Sequence, residues 1–172
     1  SRSLPAQLRG STVRAVGRRA KYLLIATDAG TAILHLGMSG SLRVMDANAP
    51  PLAHDHVDIL LDSGRCLRFN DPRRFGSLLF TAGDPLRHRL LKDLAVEPLS
   101  REFDGDALWR HARGRRASIK AFIMDSRAVV GVGNIYASEA LFRAGIKPGL
   151  AAGKVSRERM AILVTRIREV LT

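Results

Sequence analysis

The order of apolar and polar residues divides the chain into a strand-rich first part and a helical second part. Up to about residue 82, short apolar runs alternate with turn residues such as Asp62-Ser63-Gly64, a pattern typical of antiparallel strands. The predicted strands are Lys21–Thr27, Thr31–Leu36, Ser41–Met45, His54–Asp62, Arg65–Phe69 and Phe75–Thr81. Several strands at this spacing predict an antiparallel β-sandwich.

From about residue 101 apolar residues recur at steps of three and four, which is the period of a helix. The predicted helices are Arg101–Arg113, Ser118–Asp125, Asn134–Ala144 and a last one that starts after Ser156. Asn134 and Ser156 are suitable N-caps, and Gly145 is placed to end its helix. We therefore predict an α+β protein: a β-sandwich domain over residues 1–100 and a helical domain over residues 101–172, with a linker within 83–101.

The composition is that of a globular protein, with 46% apolar and 26% charged residues in a chain of 172. Its single cysteine, Cys66, excludes an internal disulfide and a four-cysteine metal site, and fits the reducing cytoplasm. No apolar run approaches the roughly 20 residues of a membrane helix, so no membrane partner is expected. Because the chain starts at Ser1 and its last apolar stripe continues to Thr172, both ends are expected to be cuts in a longer protein.

Positive charge is the first clue to a partner. Lys and Arg number 28 against 16 acids, a net charge of +12, and residues 1–27 and 110–120 hold no acid at all. Clustered cations are typical of nucleic-acid binding. A generally Arg-rich proteome would also give a basic chain. A membrane-surface patch would look similar, but it usually lies beside an amphipathic anchor or a lipidation site, and neither is present.

Two turns carry residues suited to insertion into DNA. The segment Asp71-Pro72-Arg73-Arg74-Phe75-Gly76 places two guanidinium groups and a ring on one loop, where Arg can read a base edge and Phe can wedge between bases. The alternative is an Arg74–Asp71 pair with Phe75 in the core. In His35-Leu36-Gly37-Met38-Ser39-Gly40, Met38 lies on a turn, and its alternative is to fill a gap in the core.

Three further motifs have both a functional and an ordinary interpretation. Val130-Gly131-Val132-Gly133-Asn134 precedes a helix and could bind phosphate through main-chain N–H groups, or be a plain capped turn. His54-Asp55-His56 could bind a metal, although a phosphate contact or a structural hydrogen bond is favoured. Lys21 follows Arg18-Arg19-Ala20 and could act as a nucleophile or proton carrier, or contact solvent or phosphate.

Together these segments resemble bacterial formamidopyrimidine-DNA glycosylases, the base-excision enzymes for oxidised purines. The resemblance runs in order over nearly the whole chain. It rests on residues 17–24, 35–43, 54–58, 71–76, on Ile119-Lys120, and on 130–139.

The resemblance implies a two-domain enzyme that acts on double-stranded DNA with oxidised or abasic sites and flips the damaged nucleotide. It implies a β-sandwich, a helix–two-turn–helix domain and a four-cysteine zinc finger. In the family an N-terminal proline forms a Schiff base with the sugar, the adjacent glutamate moves the proton, and elimination cuts the strand. A monomer at the bacterial nucleoid, in the cytoplasm, is expected.

The resemblance also assigns roles to single residues. Lys21 matches the catalytic lysine of the sandwich domain, His35 a phosphate contact, and Lys120 a lysine near the lesion. Met38, Arg73 and Phe75 match the trio that fills the gap left by the flipped nucleotide, with Arg73 reading the orphaned cytosine, a choice typical of the oxidised-purine branch. His54 and Arg115 match further DNA contacts, and Asn134 matches a phosphate-binding asparagine.

Three departures limit what is expected of these residues by themselves. The family's Pro-Glu start and its four cysteines are absent, and Leu94-Ala95-Val96-Glu97-Pro98 replaces the usual Gly-Pro-Glu-Pro. We therefore expect the middle part of such a glycosylase, which binds DNA without excising the base and holds no metal or other cofactor. The alternative is a non-catalytic module for damaged DNA. An RNA-binding domain is disfavoured because aromatic residues make up only 5%.

Overall fold

The computed structural model describes residues 3–172, which pack as two compact units. The first unit ends at His88, and the second is Arg89–Thr172. The elements of the first unit are α1 (Leu4–Leu8), β1 (Val13–Arg19), β2 (Tyr22–Thr27), β3 (Gly30–His35), β4 (Ser41–Asp46), β5 (Asp55–Leu60), β6 (Arg65–Asn70) and β7 (Ser77–Thr81).

The strands of the first unit form two antiparallel sheets. One has the order β1-β2-β3-β7 and the other β4-β6-β5. Apolar residues of both sheets are buried, among them Ile25, Ile33, Leu34 and Phe69. The α+β class with an antiparallel β part is thereby confirmed.

The sequence did not predict β1 or α1 of the first unit. Strand β1 is an edge strand whose side chains are almost all exposed, so its sequence Val-Arg-Ala-Val-Gly-Arg-Arg shows no buried face. It is held by its main-chain pairing with β2, from Val13 opposite Thr27 to Arg19 opposite Tyr22. Helix α1 has one turn and a Pro in its first turn, too short to give a period.

The second unit is helical, as predicted, and its helices are shorter than the predicted ranges. They are α2 (Gly105–Ala112), α3 (Ile119–Met124), α4 (Asn134–Arg143) and α5 (Arg157–Leu171). Their core includes Phe103, Ile119, Leu141, Met160 and Leu163. The guanidinium of Arg168 on α5 donates to the carbonyls of Pro98, Ser100 and Phe103, and so fixes the end of the predicted linker to this unit.

The predicted helix ends are partly right. Ser156 caps α5, because its hydroxyl accepts from the N–H of Arg159, and Gly145 follows α4 with a φ of +65°. Asn134 is not an N-cap. Gly133 has extended backbone and takes that position, so Asn134 is the first helical residue.

No helix in the described part of the chain is long and apolar enough to cross a membrane.

Candidate nucleic-acid interface

Six of the predicted site residues lie at one end of the two sheets. Tyr22, His35 and Ser77 form one row across β2, β3 and β7, while Ser41, Asn70 and Asp55 face one another across β4, β6 and β5. The loops that connect the strands at these ends therefore lie at the same end of the first unit. They carry Lys21 before β2, the Met38 turn between β3 and β4, His54 before β5, and Arg73 and Phe75 between β6 and β7.

The Met38 turn and the 71–76 loop present large apolar side chains to solvent. Met38 is 72% exposed and Phe75 is 63% exposed, so neither is a core residue. The Arg73 guanidinium lies 5.9 Å from the centre of the Phe75 ring. The main-chain N–H of Arg74, rather than its guanidinium, bonds the carbonyl of Asp71. The alternatives of a core Met38, a core Phe75 and an Arg74–Asp71 ion pair are therefore wrong.

The two loops touch through their main chains, at two glycines. A Cβ on Gly37 would lie 2.6 Å from the main-chain nitrogen of Gly76 and from the carbonyl carbon of Phe75. A Cβ on Gly76 would lie 2.5 Å from the Phe69 ring and 2.8 Å from the carbonyl oxygen of His35. Only glycine fits at these crossings, which hold the loop of Met38 against the loop of Phe75.

Asp71 joins the same two loops through its buried carboxylate. Its Oδ2 accepts from the Gly76 N–H at 2.7 Å, and its Oδ1 accepts from the Ser39 hydroxyl at 3.1 Å. These hydrogen bonds, the Gly76 bond first, hold the pKa of Asp71 below its usual range. Its carbonyl pairs with His56 Nε2 at 2.9 Å, and its N–H donates to the His54 carbonyl.

Lys21 and His35 lie close together beside the Met38 turn. Lys21 is exposed on the two-residue turn between β1 and β2, where Ala20 has a φ of +53°. The Gly37 N–H donates to His35 Nδ1 at 2.9 Å, so a neutral ring carries its proton on Nε2. Burial, and then the charge of Lys21, lower the pKa of His35. A neutral imidazole with an Nε2–H donor can bond a phosphate oxygen.

His54 lies on a loop that buried polar groups hold in place. It has a φ of +71°, a conformation that a non-glycine residue adopts at a cost. Arg68 is 3% exposed and donates to both oxygens of Asp58 and to the carbonyls of Ala49 and Pro50. Asn70 completes the support by donating to the Ala53 carbonyl.

In the second unit, Arg115 lies in the connection between α2 and α3, and Lys120 is the second residue of α3. The Arg115 carbonyl accepts from the Gly153 N–H, and the Lys120 N–H donates to the Pro148 carbonyl, so segment 148–153 fixes both. Arg115 is exposed, and its guanidinium lies 3.4 Å from His111 Nε2. This places two cations near the start of α3, where a phosphate could bind.

Asn134 is exposed at the start of α4, after the turn that contains Gly131 with a φ of +80°. Its side chain does not cap the helix, while its carbonyl accepts from the Ser138 hydroxyl. An exposed amide beside the first N–H groups of a helix can donate to a phosphate.

Sequence reasoning missed Ser39 and understated Asp71. The sequence suggests Asp71 only as a partner for Arg74, and nothing in it pairs Asp71 with a serine 32 positions away. The loop composition could have indicated the role of Asp71. A carboxylate in an Arg-rich loop needs hydrogen-bond donors, and the nearby Gly76 offers an unhindered main-chain N–H.

The described residues contain no group of three or more His, Cys, Asp and Glu side chains that could hold a metal. The zinc that the family resemblance implies therefore does not fit residues 3–172. In the 54–56 motif, His56 Nε2 pairs with the Asp71 carbonyl, which is the structural hydrogen bond that the sequence favoured. An open apolar cleft of about 970 Å³ lies elsewhere in the first unit, and none of the predicted site residues lines it.

Known proteins match the chain over both units. The model of the formamidopyrimidine-DNA glycosylase N-terminal domain matches residues 1–78, and the model of the H2TH domain of the same enzyme matches residues 94–172. The chain belongs to the formamidopyrimidine-DNA glycosylase family. A formamidopyrimidine-DNA glycosylase from Alkalilimnicola ehrlichii is 60% identical over 98% of this chain and 63% of its own length. One from Xanthomonas campestris pv. campestris (strain B100) is 62% identical over 95% of this chain and 60% of its own length.

Solved structures of family members superpose on both parts of the chain. A Lactococcus lactis formamidopyrimidine-DNA glycosylase in complex with DNA containing an abasic site has a TM-score of 0.89 and 31% identity, over 98% of this chain and 62% of that chain. The Thermus thermophilus protein has a TM-score of 0.85 and 38% identity, over 97% of this chain and 64% of that chain. The chain thus spans just under two thirds of the length of the relatives it matches.

Proposed function

We propose that these residues are the DNA-binding part of a base-excision DNA glycosylase with abasic-site lyase activity, which removes oxidised purines such as 8-oxoguanine and formamidopyrimidines. The substrate is double-stranded DNA at the bacterial nucleoid, in the cytoplasm. Structures of the Lactococcus lactis relative with DNA containing an abasic site or Fapy-dG support this substrate class.

The observation that carries the proposal is the exposed trio Met38, Arg73 and Phe75 on two loops that touch, called the wedge below. Two large apolar side chains with 72% and 63% exposure are costly in water unless they have a partner. The base stack supplies such a partner once a nucleotide has left it. The guanidinium beside them can donate two hydrogen bonds to acceptors on a base edge. Arg73 thereby reads the orphaned cytosine.

Most of the remaining site residues contact the sugar–phosphate backbone of the DNA. His35, His54, Arg115 and Asn134 contact phosphates, and Lys120 lies near the lesion. Lys21, beside His35, assists strand cleavage by elimination at an abasic site. These assignments rest on exposure and position together with the family resemblance.

A polypeptide of these 172 residues alone binds DNA without excising the base, since no Pro-Glu pair occurs in it to supply the nucleophile and its acid. No specific observation favours the alternative of a non-catalytic damaged-DNA-binding module. The exposed Lys21 at the wedge end of the sheets, where the family has a catalytic lysine, argues against that alternative.

Substitution of Arg73 tests the proposed role of the wedge. Arg73→Ala should cost roughly 1–3 kcal/mol of binding free energy on a duplex with a tetrahydrofuran abasic analogue opposite cytosine. It should cost much less on intact duplex, which has no gap to enter. Fluorescence anisotropy on the two duplexes measures both values.

Asn134→Ala and Arg115→Ala are the matched controls. Both should weaken binding to the two duplexes by similar factors, because a phosphate is the same in either. Equal losses for Arg73→Ala on both duplexes would show that Arg73 is only another phosphate contact.

A further inference from the structure

A buried carboxylate and a serine hydroxyl connect the Arg73 side chain to the core of the first unit. Arg73 Nε donates to Ser39 Oγ at 3.3 Å, and the Ser39 hydroxyl donates to Asp71 Oδ1 at 3.1 Å. Asp71 is 1% exposed, whereas Ser39 and Arg73 are exposed. The chain of bonds therefore runs from a fixed group inside the protein to the exposed side chain of a wedge residue.

The direction of each bond follows from the chemistry of the three groups. An ionised carboxylate only accepts, so the Ser39 proton must point at Asp71. The lone pairs of the hydroxyl are then turned away from the carboxylate, where Arg73 Nε–H, which only donates, can use one of them. Without the carboxylate, the hydroxyl can rotate and offer its proton to solvent instead.

From this geometry we infer that Asp71 and Ser39 are positioning residues that pre-orient Arg73 for the base opposite the flipped nucleotide. This chain of hydrogen bonds from Asp71 through Ser39 to Arg73 is called the relay below. The inference rests on the proposed function, because orienting Arg73 matters only if Arg73 contacts the opposite base. A long Arg side chain loses much rotamer freedom when it binds, and a side chain already held at Nε loses less. Two hydrogen bonds from one guanidinium to one base edge require a defined orientation of the Arg73 side chain.

Asp71 also has a second structural role, and the test must distinguish that role from the relay. Its Oδ2 holds the Gly76 N–H at 2.7 Å and so fixes the end of the 71–76 loop. Asp71→Asn disturbs both tasks, because an amide has only one acceptor oxygen. Ser39→Ala removes the relay and leaves the Asp71–Gly76 bond in place, so it is the decisive variant.

The test compares a tetrahydrofuran analogue opposite cytosine with the same analogue opposite adenine, and both with intact duplex, by fluorescence anisotropy at one salt concentration. The unsubstituted chain should prefer cytosine. Ser39→Ala and Asp71→Asn should reduce the cytosine-to-adenine affinity ratio about threefold to tenfold, the factor given by one hydrogen bond. The affinity of Ser39→Ala for intact duplex should stay the same.

Three variants control the experiment. Ser39→Thr keeps a hydroxyl at an exposed position and should restore the ratio. Ser11→Ala removes a hydroxyl that bonds only the Gln7 carbonyl, and Cys66→Ala loosens the core of the same unit, so both should keep the normal ratio. A normal ratio in Ser39→Ala would overturn the relay while leaving the proposed function in place.

A measurement without DNA separates the two proposals. The ¹H–¹⁵N signal of Arg73 Nε, assigned by its loss in Arg73→Lys, should exchange slowly in the unsubstituted chain and quickly in Ser39→Ala. If the chain binds the tetrahydrofuran duplex and the intact duplex equally, the proposed function fails. The exchange rate of the Arg73 Nε signal alone then decides whether the relay exists. Rapid exchange in the unsubstituted chain would overturn the relay.

Discussion

At the scale of single residues, backbone strain coincides with the proposed DNA contacts. Among the described residues, the non-glycine residues with positive φ are Ala20, His54 and Arg74. Ala20 precedes Lys21, His54 is itself a proposed contact, and Arg74 separates Arg73 from Phe75. Each such residue costs on the order of 1–3 kcal/mol, which the surrounding hydrogen bonds must offset. The strain presents the neighbouring side chains in directions that a relaxed turn would not give.

The protonation of His35 gives a prediction at this scale. Its pKa is lowered by burial and then by Lys21, so its imidazole should titrate below the free value of about 6.5. The fold favours the neutral ring. Its contribution to stability is therefore complete above the free pKa and is lost as the pH falls through the lowered folded pKa. Lys21→Ala should raise the pKa of His35 only part of the way, because burial remains.

An NMR titration of the histidine Cε1–H signals measures this pKa. Arg14→Ala is the control, because Arg14 lies toward the far end of β1, beside Asp28, and its loss should leave His35 unchanged. A His35 midpoint at or above the free value, or no response to Lys21→Ala, contradicts the electrostatic account.

At the scale of elements, packing between helices decides which substitutions the second unit accepts. Helix α2 packs against α5, and its first residue, Gly105, lies against the backbone of Ala161. A Cβ on Gly105 would lie 2.5 Å from the Ala161 Cα. The close approach of the two helices therefore depends on the missing side chain, although Gly is a poor helix former.

Gly105→Ala should accordingly destabilise the helical unit by about 1–3 kcal/mol, the cost of overpacking, even though Ala favours helix. The fluorescence of Trp109 during guanidinium unfolding measures the effect in this unit, since it is the single Trp of the chain.

Gly149→Ala is the matched control, because nothing lies within 4 Å of its added Cβ. It should leave the free energy of unfolding nearly unchanged. A Gly105→Ala variant at least as stable as the unsubstituted chain would show that α2 and α5 can separate at no cost.

At the scale of the whole molecule, the basic clusters that give the net charge of +12 should make DNA binding depend on salt. With some four to six phosphate contacts, the logarithm of the affinity should fall against the logarithm of salt concentration with a slope of about −4 to −5. Arg115→Ala should reduce the size of the slope by about 1, because one released counterion is lost. Anisotropy titrations at several salt concentrations give these slopes.

Asn134→Ala serves as the uncharged control. It should weaken binding while keeping the slope, because an amide displaces no counterion. A slope near zero for the unsubstituted chain would mean that its basic clusters do not contact DNA.

The sequence by itself determined the α+β class, the predicted strands and helices, the basic clusters and the family. These follow from residue periods, local turn chemistry and motif order, all of which are local along the chain. Edge strand β1 was not predicted from the sequence because main-chain pairing with β2 holds it. That pairing leaves no apolar pattern in its side chains. Asn134 was misplaced as a cap because Gly133 can take the same backbone position without a side chain.

Only the tertiary structure decided which of the predicted site residues lie together and which hydrogen bonds hold their loops. Lys21, His35, Met38, His54 and Arg73 are spread over more than 50 positions, and the strand register brings them to one end of the sheets. The exposure of Met38 and Phe75, the crossing of the two glycines and the bond from Ser39 to Asp71 all depend on that register. A register is a property of paired strands far apart in sequence, so no local pattern can specify it.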